Sequence, residues 1–395
     1  MNDWKKYKLK DIVEENRGVS YGIVQPGKTA ENGVPILKVN NLIEKNFSKK
    51  NLYKVELEVE RKYIRTRLRG GEVLLSIVGS LGETFFVNNE LVGINVVRAI
   101  AVIPVKKIYS PKWVYWWLKS PTTQRLINNL ATTSVQPTLN LKELREIYIP
   151  FPPQSIRESI INILDALDDK IELNLQMNKT LEEMAMSLYK HWFVDFGPFR
   201  GGEFMKSELG LIPEGWEVKP IGDLSQLKYG KALKEVDRIP GDFPVYGSSG
   251  IVGSHIESLI NGPSVIIGRK GNVGATYWEN NPSYPIDTVF YLNELSIEIL
   301  RFLYLTFKRL DFSGRNSDSA VPGLNRNIAH SEKIIFPGKS TLLRFERIAS
   351  SLFNQVFHNI EENLTLIKTR DYLLPKLISG EIEVKTAEST IKEVL

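Results

Sequence analysis

The 395-residue chain contains no cysteine. Disulfides, thiolate metal sites and catalytic thiols are therefore excluded together. Histidine is scarce: His191, His255, His330 and His358 lie far apart, without the spacing of metal ligands. No run of 18 apolar residues occurs, so no membrane-spanning helix is expected. The opening stretch MNDWKKYKLK has no apolar segment of the kind a secretory signal uses, and a cytoplasmic protein is expected. Neither sign of charge dominates, since 51 Lys and Arg against 46 Asp and Glu leave a net charge of +5. That basic excess suits a polyanionic partner without requiring one. What the chain does have is 42% hydrophobic residues, which at this length allows two domains with sizeable cores.

Motifs for catalysis are equally sparse. Gly22-IVQP-Gly27-Lys28-Thr29 fits the phosphate-loop pattern by letter. Such a loop needs a strand before it, a cradle of backbone N–H groups, and a helix starting at the lysine. Here Pro26 removes one donor, Gly33 and Pro35 would break the helix, and no hydrophobic strand precedes Gly22. Gly79/Gly82 and Gly271/Gly274 resemble pieces of a dinucleotide fingerprint but lack its third glycine, and read as tight turns between strands. Phe151-Pro152-Pro153-Gln154 has neither the polar head nor the aromatic tail of an adenine-methyltransferase loop, and reads as a helix start signal. No nuclease constellation stands out. Nothing in the residues gives a positive reason to expect an enzyme.

Internal duplication is the most informative feature. Trp4 and Asp11 recur as Trp216 and Asp223, both 212 positions on. GEVLLSIVGSLGETFF (71–86) aligns without gaps to PSVIIGRKGNVGATYW (263–278), matching Gly79 to Gly271, Gly82 to Gly274 and Thr84 to Thr276. Pro137-Thr-Leu139-Asn140 recurs as Pro322-Gly-Leu324-Asn325, and Ile171-Glu-Leu-Asn174 as Ile360-Glu-Glu-Asn363. The shared order of these matches argues for two copies of one unit.

Each copy begins with short strand-like runs bounded by Gly, Asn and Pro, together with one apolar helix, SPKWVYWWLKS or SIEILRFLYLTFKRL. Trp113, Trp116 and Trp117 fall at helical spacing and are expected in the core. The mixture predicts an α/β (α+β) domain. Each copy then turns into a long helix. Ile160, Leu164, Leu167, Ile171, Asn174, Asn178, Leu181, Ala185 and Leu188 alternate spacings of four and three. The corresponding second set is Ala349, Phe353, Val356, Ile360, Asn363, Ile367, Arg370, Leu374 and Leu377. This seam predicts helices of roughly 35 residues that pair as a coiled coil, with Asn174 and Asn363 fixing its register. The pattern alone also permits two amphipathic helices, each docked on its own domain.

The chain resembles the specificity (S) subunits of type I restriction–modification systems over essentially its whole length. The resemblance is carried by IPEGWEVKPIGDL (212–224), FPVYGSSGIVG (243–253), IIGRKGNVG (266–274), SLYKHWFVDF (187–196) and RDYLLPKLISGEI (370–382). It implies target recognition domains at 1–152 and 215–338, conserved helices at 153–190 and 339–379, a linker at 191–214 and a C-terminal tail at 380–395. It further implies an antiparallel helix pair, a pseudo-two-fold internal repeat and a non-catalytic chain that reads an asymmetric, bipartite double-stranded DNA site. Two methyltransferase subunits carrying S-adenosylmethionine, and restriction subunits using ATP and magnesium, would be the partners, with no cofactor on this chain.

Base and phosphate contacts need Arg, Lys, Asn, Gln or Ser on loops that approach closely. The best segment is Gly268 to Asn272, with Arg269, Lys270 and Asn272, followed by Tyr246, Ser248 and Ser249, then Arg315, Asn316 and Arg326. In the first copy the counterparts are Lys38, Asn40, Asn41, Ser80, Arg98 and the Ser134-Val135-Gln136 stretch, of which Gln136 is the candidate DNA contact. Ile77 and Val78 stand where the second copy has Arg269 and Lys270, so contacts of that turn do not carry across. Each of these residues is equally suited to being a solvated loop residue or turn former. A stand-alone architectural DNA-binding coiled-coil protein remains the alternative, and would bind DNA with little sequence preference.

Overall fold

The strand-like runs of each copy assemble into the same set of sheets. The structure, a computed structural model, describes residues 4–44, 49–132, 136–310, 312 and 323–394. Two compact units are formed, one from residues 1–173 with 363–395 and the other from 174–362.

In the first unit a four-stranded antiparallel sheet has the order Ser20–Tyr21, Ile100–Ile103, Val73–Ser76, Thr84–Phe86. Its two central strands, VLLS and IAVI, are buried at every residue. Continuous apolar runs of this kind belong to strands covered on both faces. A three-stranded sheet places Val34–Leu37 between Tyr53–Val55, antiparallel, and Asn95–Val96, parallel. Lys5–Lys8 pairs with Tyr148–Phe151 and ties the start of the chain to the residues just before the long helix. Helix Pro111–Lys119 begins at a proline, whose missing N–H is harmless at that position. It buries Trp113, Trp116 and Trp117 in the core as expected, with the Trp113 indole donating to the Pro150 carbonyl at 2.8 Å.

The second unit repeats this plan strand for strand. Its four-stranded sheet has the order Lys228–Tyr229, Val289–Leu292, Ser264–Gly268, Thr276–Glu279. Its three-stranded sheet places Phe243–Gly247 between Gly250–His255 and Tyr284–Pro285, and Glu217–Pro220 pairs with Lys333–Phe336. Helix Ile297–Arg309 takes the place of the tryptophan-rich one. The duplication seen in sequence is thus a duplication of fold. A hairpin, Phe204–Ser207 with Gly210–Pro213, follows the first copy in the sequence and precedes the strand Glu217–Pro220.

The long helices run Gln154–Phe193 and Lys339–Ser379, 40 and 41 residues, each about 60 Å at 1.5 Å per residue. The first starts right after Pro152-Pro153, and Gly380, at φ +71, follows the end of the second in the left-handed conformation that glycine favours. Residues 380–395, read from sequence as a tail, include another helix, Val384–Val394, with Ala387 fully buried. The compact units divide within the long helices rather than at their ends.

Within each unit the helices pair with each other, in antiparallel sense. In the first unit Asp168 binds Arg370, and the Asn363 amide donates to the Ile171 carbonyl at 3.3 Å. Lys119 also donates to Asp168 at 3.0 Å. Burial pushes the Asp168 carboxyl up, but Lys119 and Arg370 outweigh it and hold the group below the usual carboxylate range. In the second unit the Asn174 amide donates to Glu362 at 2.7 Å and the Asn359 amide to Asn178 at 2.8 Å. Advancing along one helix means retreating along the other. Asn174 and Asn363 are both buried, as the seam predicts.

One stretch of that seam differs. Ile360 is 46% exposed and Asn359, its neighbour, is 2% exposed. The inward side runs Val356, Asn359, Asn363, Leu366, with Leu366 buried and Ile367 only half-buried. A residue one step along a helix points about 100° away. Once Asn359 turns inward to meet Asn178, Ile360 must turn out.

Candidate nucleic-acid interface

The glycine pairs that mark the repeat build one loop twice. Gly79 and Gly82 adopt φ +78 and +87, and Gly271 and Gly274 adopt +79 and +81. These are left-handed values where other residues are strained. In the first copy the Gly82 N–H donates to the Ser76 carbonyl at 3.0 Å, and in the second Gly274 donates to Gly268 at 2.9 Å. Ser76 and Gly268 in turn donate to Glu83 and Ala275 at 2.9 and 2.7 Å. Ile77 and Arg269 donate to Ala99 and Thr288, while Leu139 and Leu324 donate back to Ile77 and Arg269. The Thr84 and Thr276 hydroxyls each donate to the carbonyl two residues before them, at 2.9 Å in both copies. The backbone is common to the copies, and the side chains it carries differ.

In the second unit Lys270 and Asn272 are exposed on this turn. The Asn272 amide lies 3.4 Å from the Ser249 hydroxyl, and a Cβ on Gly271 would come within 3.0 Å of the Ser248 hydroxyl oxygen. The turn and the hairpin bend at Ser248-Ser249 are therefore neighbours. Arg269 is half-buried: its guanidinium donates to the Asp287 carbonyl at 2.9 Å and lies 5.0 Å from the Tyr229 ring centroid. Arg326 approaches the same ring at 5.1 Å. Next to it, His330 accepts a hydrogen bond from the Leu227 N–H at 2.9 Å. Burial and the Arg326 charge lower its pKa. A neutral imidazole is what this acceptor role requires.

Tyr246 differs from the expectation of a contact residue. It is 5% exposed, and its hydroxyl donates to Glu279 at 2.8 Å. Burial and that carboxylate push its pKa up. The side chain fastens one sheet to the other beneath the loops instead of facing solvent. Arg315 and Asn316 lie outside the described residues, as do Ser134 and Val135.

In the first unit Ser80 and Gln136 are exposed, and Gln136 lies beside Gly79, the residue before Ser80. The Gly79 N–H donates to the Pro137 carbonyl at 3.1 Å, and a Cβ on Gly79 would meet the Gln136 amide nitrogen at 3.3 Å. Lys38 is exposed with its ammonium 4.2 Å from the Tyr53 ring centroid. Asn40 is exposed, whereas the Asn41 side chain is used locally, its Oδ1 accepting from the Lys38 N–H at 2.8 Å. Arg98 is exposed, its backbone N–H held by the Ile23 carbonyl at 2.8 Å. No helix begins at Lys28, so the phosphate-loop pattern around it has no matching structure.

Two residues absent from the sequence-based candidates occupy equivalent places. Tyr21 and Tyr229, 44% and 47% exposed, end the equivalent edge strands of the two four-stranded sheets. Each is followed by a glycine, Gly22 or Gly230, whose Cβ would collide with backbone at about 2 Å. The recurring Tyr-Gly pair was the available signal. Among the described residues no helix is long and apolar enough to cross a membrane.

Residues 1–183 and 213–368 match the family model of the type I restriction modification DNA specificity domain. The specificity subunit of the type I restriction enzyme MjaIX of Methanocaldococcus jannaschii is 28% identical, over 97% of this chain and 94% of its own length. That of the HindI enzyme of Haemophilus influenzae is 26% identical over 97% of this chain and all of its own. The crystal structure of a type I restriction-modification system S subunit from M. genitalium aligns with 95% of this chain and 97% of its own. Its TM-score is 0.57 at 17% identity, which is a likeness of fold.

Proposed function

Because the chain belongs to the family of type I restriction–modification DNA specificity subunits, we propose that it is the sequence-reading subunit of such a complex and catalyses no step itself. Each unit reads one half of a bipartite double-stranded DNA site in the cytoplasm, with half-sites about one helical turn apart. The observation that carries this reading is one turn built twice with different side chains. Ser80 occupies the place of Asn272, and Ile77 and Val78 those of Arg269 and Lys270. A shared backbone would bring each turn to the groove in the same way, while different donors and acceptors would select different bases. The two halves of the site therefore differ.

Two methyltransferase subunits, bringing S-adenosylmethionine, and restriction subunits, bringing ATP and magnesium, supply the chemistry. This chain positions them on its target and holds none of these cofactors. The test is to express it with its methyltransferase subunits and map methylated bases across a genome. A split, asymmetric motif supports the reading. Absence of any motif, with the same methyltransferase active on another specificity subunit, overturns it in favour of an architectural DNA-binding protein.

A further inference from the structure

The two equivalent tyrosines have different neighbours. The guanidinium groups of Arg269 and Arg326 both approach the Tyr229 ring, at 5.0 and 5.1 Å from its centroid. At the equivalent positions around Tyr21 stand Ile77, which is buried, and Leu141. The first unit has neither arginine at these positions but has a longer segment elsewhere. Between strands Tyr53–Val55 and Val73–Ser76 lie residues 56–72, including the short helices Leu57–Arg61 and Ile64–Thr66. The second unit has only residues 256–263 there, without a single Lys or Arg. The longer segment carries Arg61, Lys62, Arg65, Arg67 and Arg69. Lys62, Tyr63 and Arg65, with Arg145 and Tyr21, line a pocket of about 280 Å³.

This segment is anchored from below. Arg17, 5% exposed, donates to the carbonyls of Arg65 and Arg67, at 3.0 Å each, and to Glu72 at 2.7 Å. Glu60, fully buried, accepts from Arg67 at 2.7 Å and from Asn95 at 3.0 Å, and Thr66 donates to Asn95 at 2.8 Å. Buried polar groups hydrogen-bonded to the chain in this way fix its backbone. Arg61, Lys62, Arg65 and Arg69 are exposed and, among the described residues, none has an acidic partner. Unpaired cations on a rigid support, two of them (Lys62 and Arg65) lining a pocket with the exposed Tyr21 ring, suit a polyanion whose charges are spaced along a line.

We infer that Lys62 and Arg65, on either side of Tyr63 and next to Tyr21, seat backbone phosphates of double-stranded DNA flanking the half-site read by the first unit. They take the place of the arginine pair that approaches the equivalent tyrosine of the second unit. The inference rests on the DNA-reading function proposed above and adds to it an unequal distribution of phosphate contacts.

The test uses the full chain in complex with its methyltransferase subunits, and a duplex carrying the methylated motif. Affinity is measured against salt concentration for the wild type and for the Lys62→Gln/Arg65→Gln variant. Both substituted residues are exposed, so the anchoring through Arg17 and Glu60 is untouched. Each lost phosphate contact removes about 0.9 from the slope of log affinity against log salt, so the double variant should fall by about 2 with its motif unchanged. An unchanged slope, while the wild type binds its motif selectively, overturns this inference alone. An unchanged slope with weaker retention of the methyltransferase subunits makes these cations a protein contact, and also overturns it. A wild-type complex that fails to select duplex DNA overturns this inference together with the reading beneath it.

Discussion

The Asn359 side chain donates a 2.8 Å hydrogen bond to the amide oxygen of Asn178, and both residues are buried between the paired helices. The Asn359 amide oxygen accepts in turn from Gln355 at 2.8 Å. A polar pair inside an otherwise apolar seam is satisfied only when these two residues face each other. It favours one register over its neighbours while contributing less stability than leucine would.

Asn359→Ala leaves the Asn178 amide without this partner and is expected to destabilise the protein by about 2 kcal/mol, measured as a shift in the urea midpoint. Replacing both residues, as Asn178→Leu/Asn359→Leu, should recover that stability or exceed it while relaxing the register. An Asn359→Ala midpoint equal to that of the wild type would contradict the pairing.

Tyr246→Phe separates a structural role from a recognition role. Loss of the hydroxyl on Glu279 is expected to lower stability by about 1–2 kcal/mol. The methylated motif should stay the same, because the side chain is buried beneath the loops. A changed motif in a stably folded variant would return Tyr246 to the contact surface.

The protonation of His330 gives a pH signature. Its pKa in the folded protein is lowered by burial and by Arg326, whereas the unfolded chain titrates near the ordinary value of about 6.5. The unfolded state therefore takes up the proton first as pH falls. The contribution of His330 to stability is complete above about pH 6.5 and is lost as the pH drops through the folded value. Urea midpoints between pH 7.5 and 5 should decline for the wild type, and His330→Gln should flatten that decline. Equal declines in the two proteins would rule out this titration.

Much of the architecture is legible in the sequence because its signals are steric. Gly79, Gly82, Gly271 and Gly274 hold left-handed turns, and Pro152-Pro153 sits where the first long helix starts. The seam between Val356 and Leu366 is less legible, since spacings of three and four residues fit either Asn359 or Ile360. Only the partner, Asn178, decides between them. The candidate contacts are legible as residue types but not as surfaces. Tyr246 and Ser248 look alike in a loop-rich stretch, yet one is buried and the other is not. Tyr21 and Tyr229 escape notice because their strands are two residues long, too short for alternation to show. The cationic segment of the first unit escapes because Arg67 is internally paired with Glu60, whereas Lys62 and Arg65 are unpaired, and composition cannot tell them apart.

The central claim is that each unit reads its own half of a split DNA site. It is tested most directly by mapping methylated bases after residues 215–335 are exchanged for the same span of another specificity subunit, with the methyltransferase subunits unchanged. The account predicts a motif altered in one half and retained in the other. A motif altered in both halves, or in neither, would contradict it.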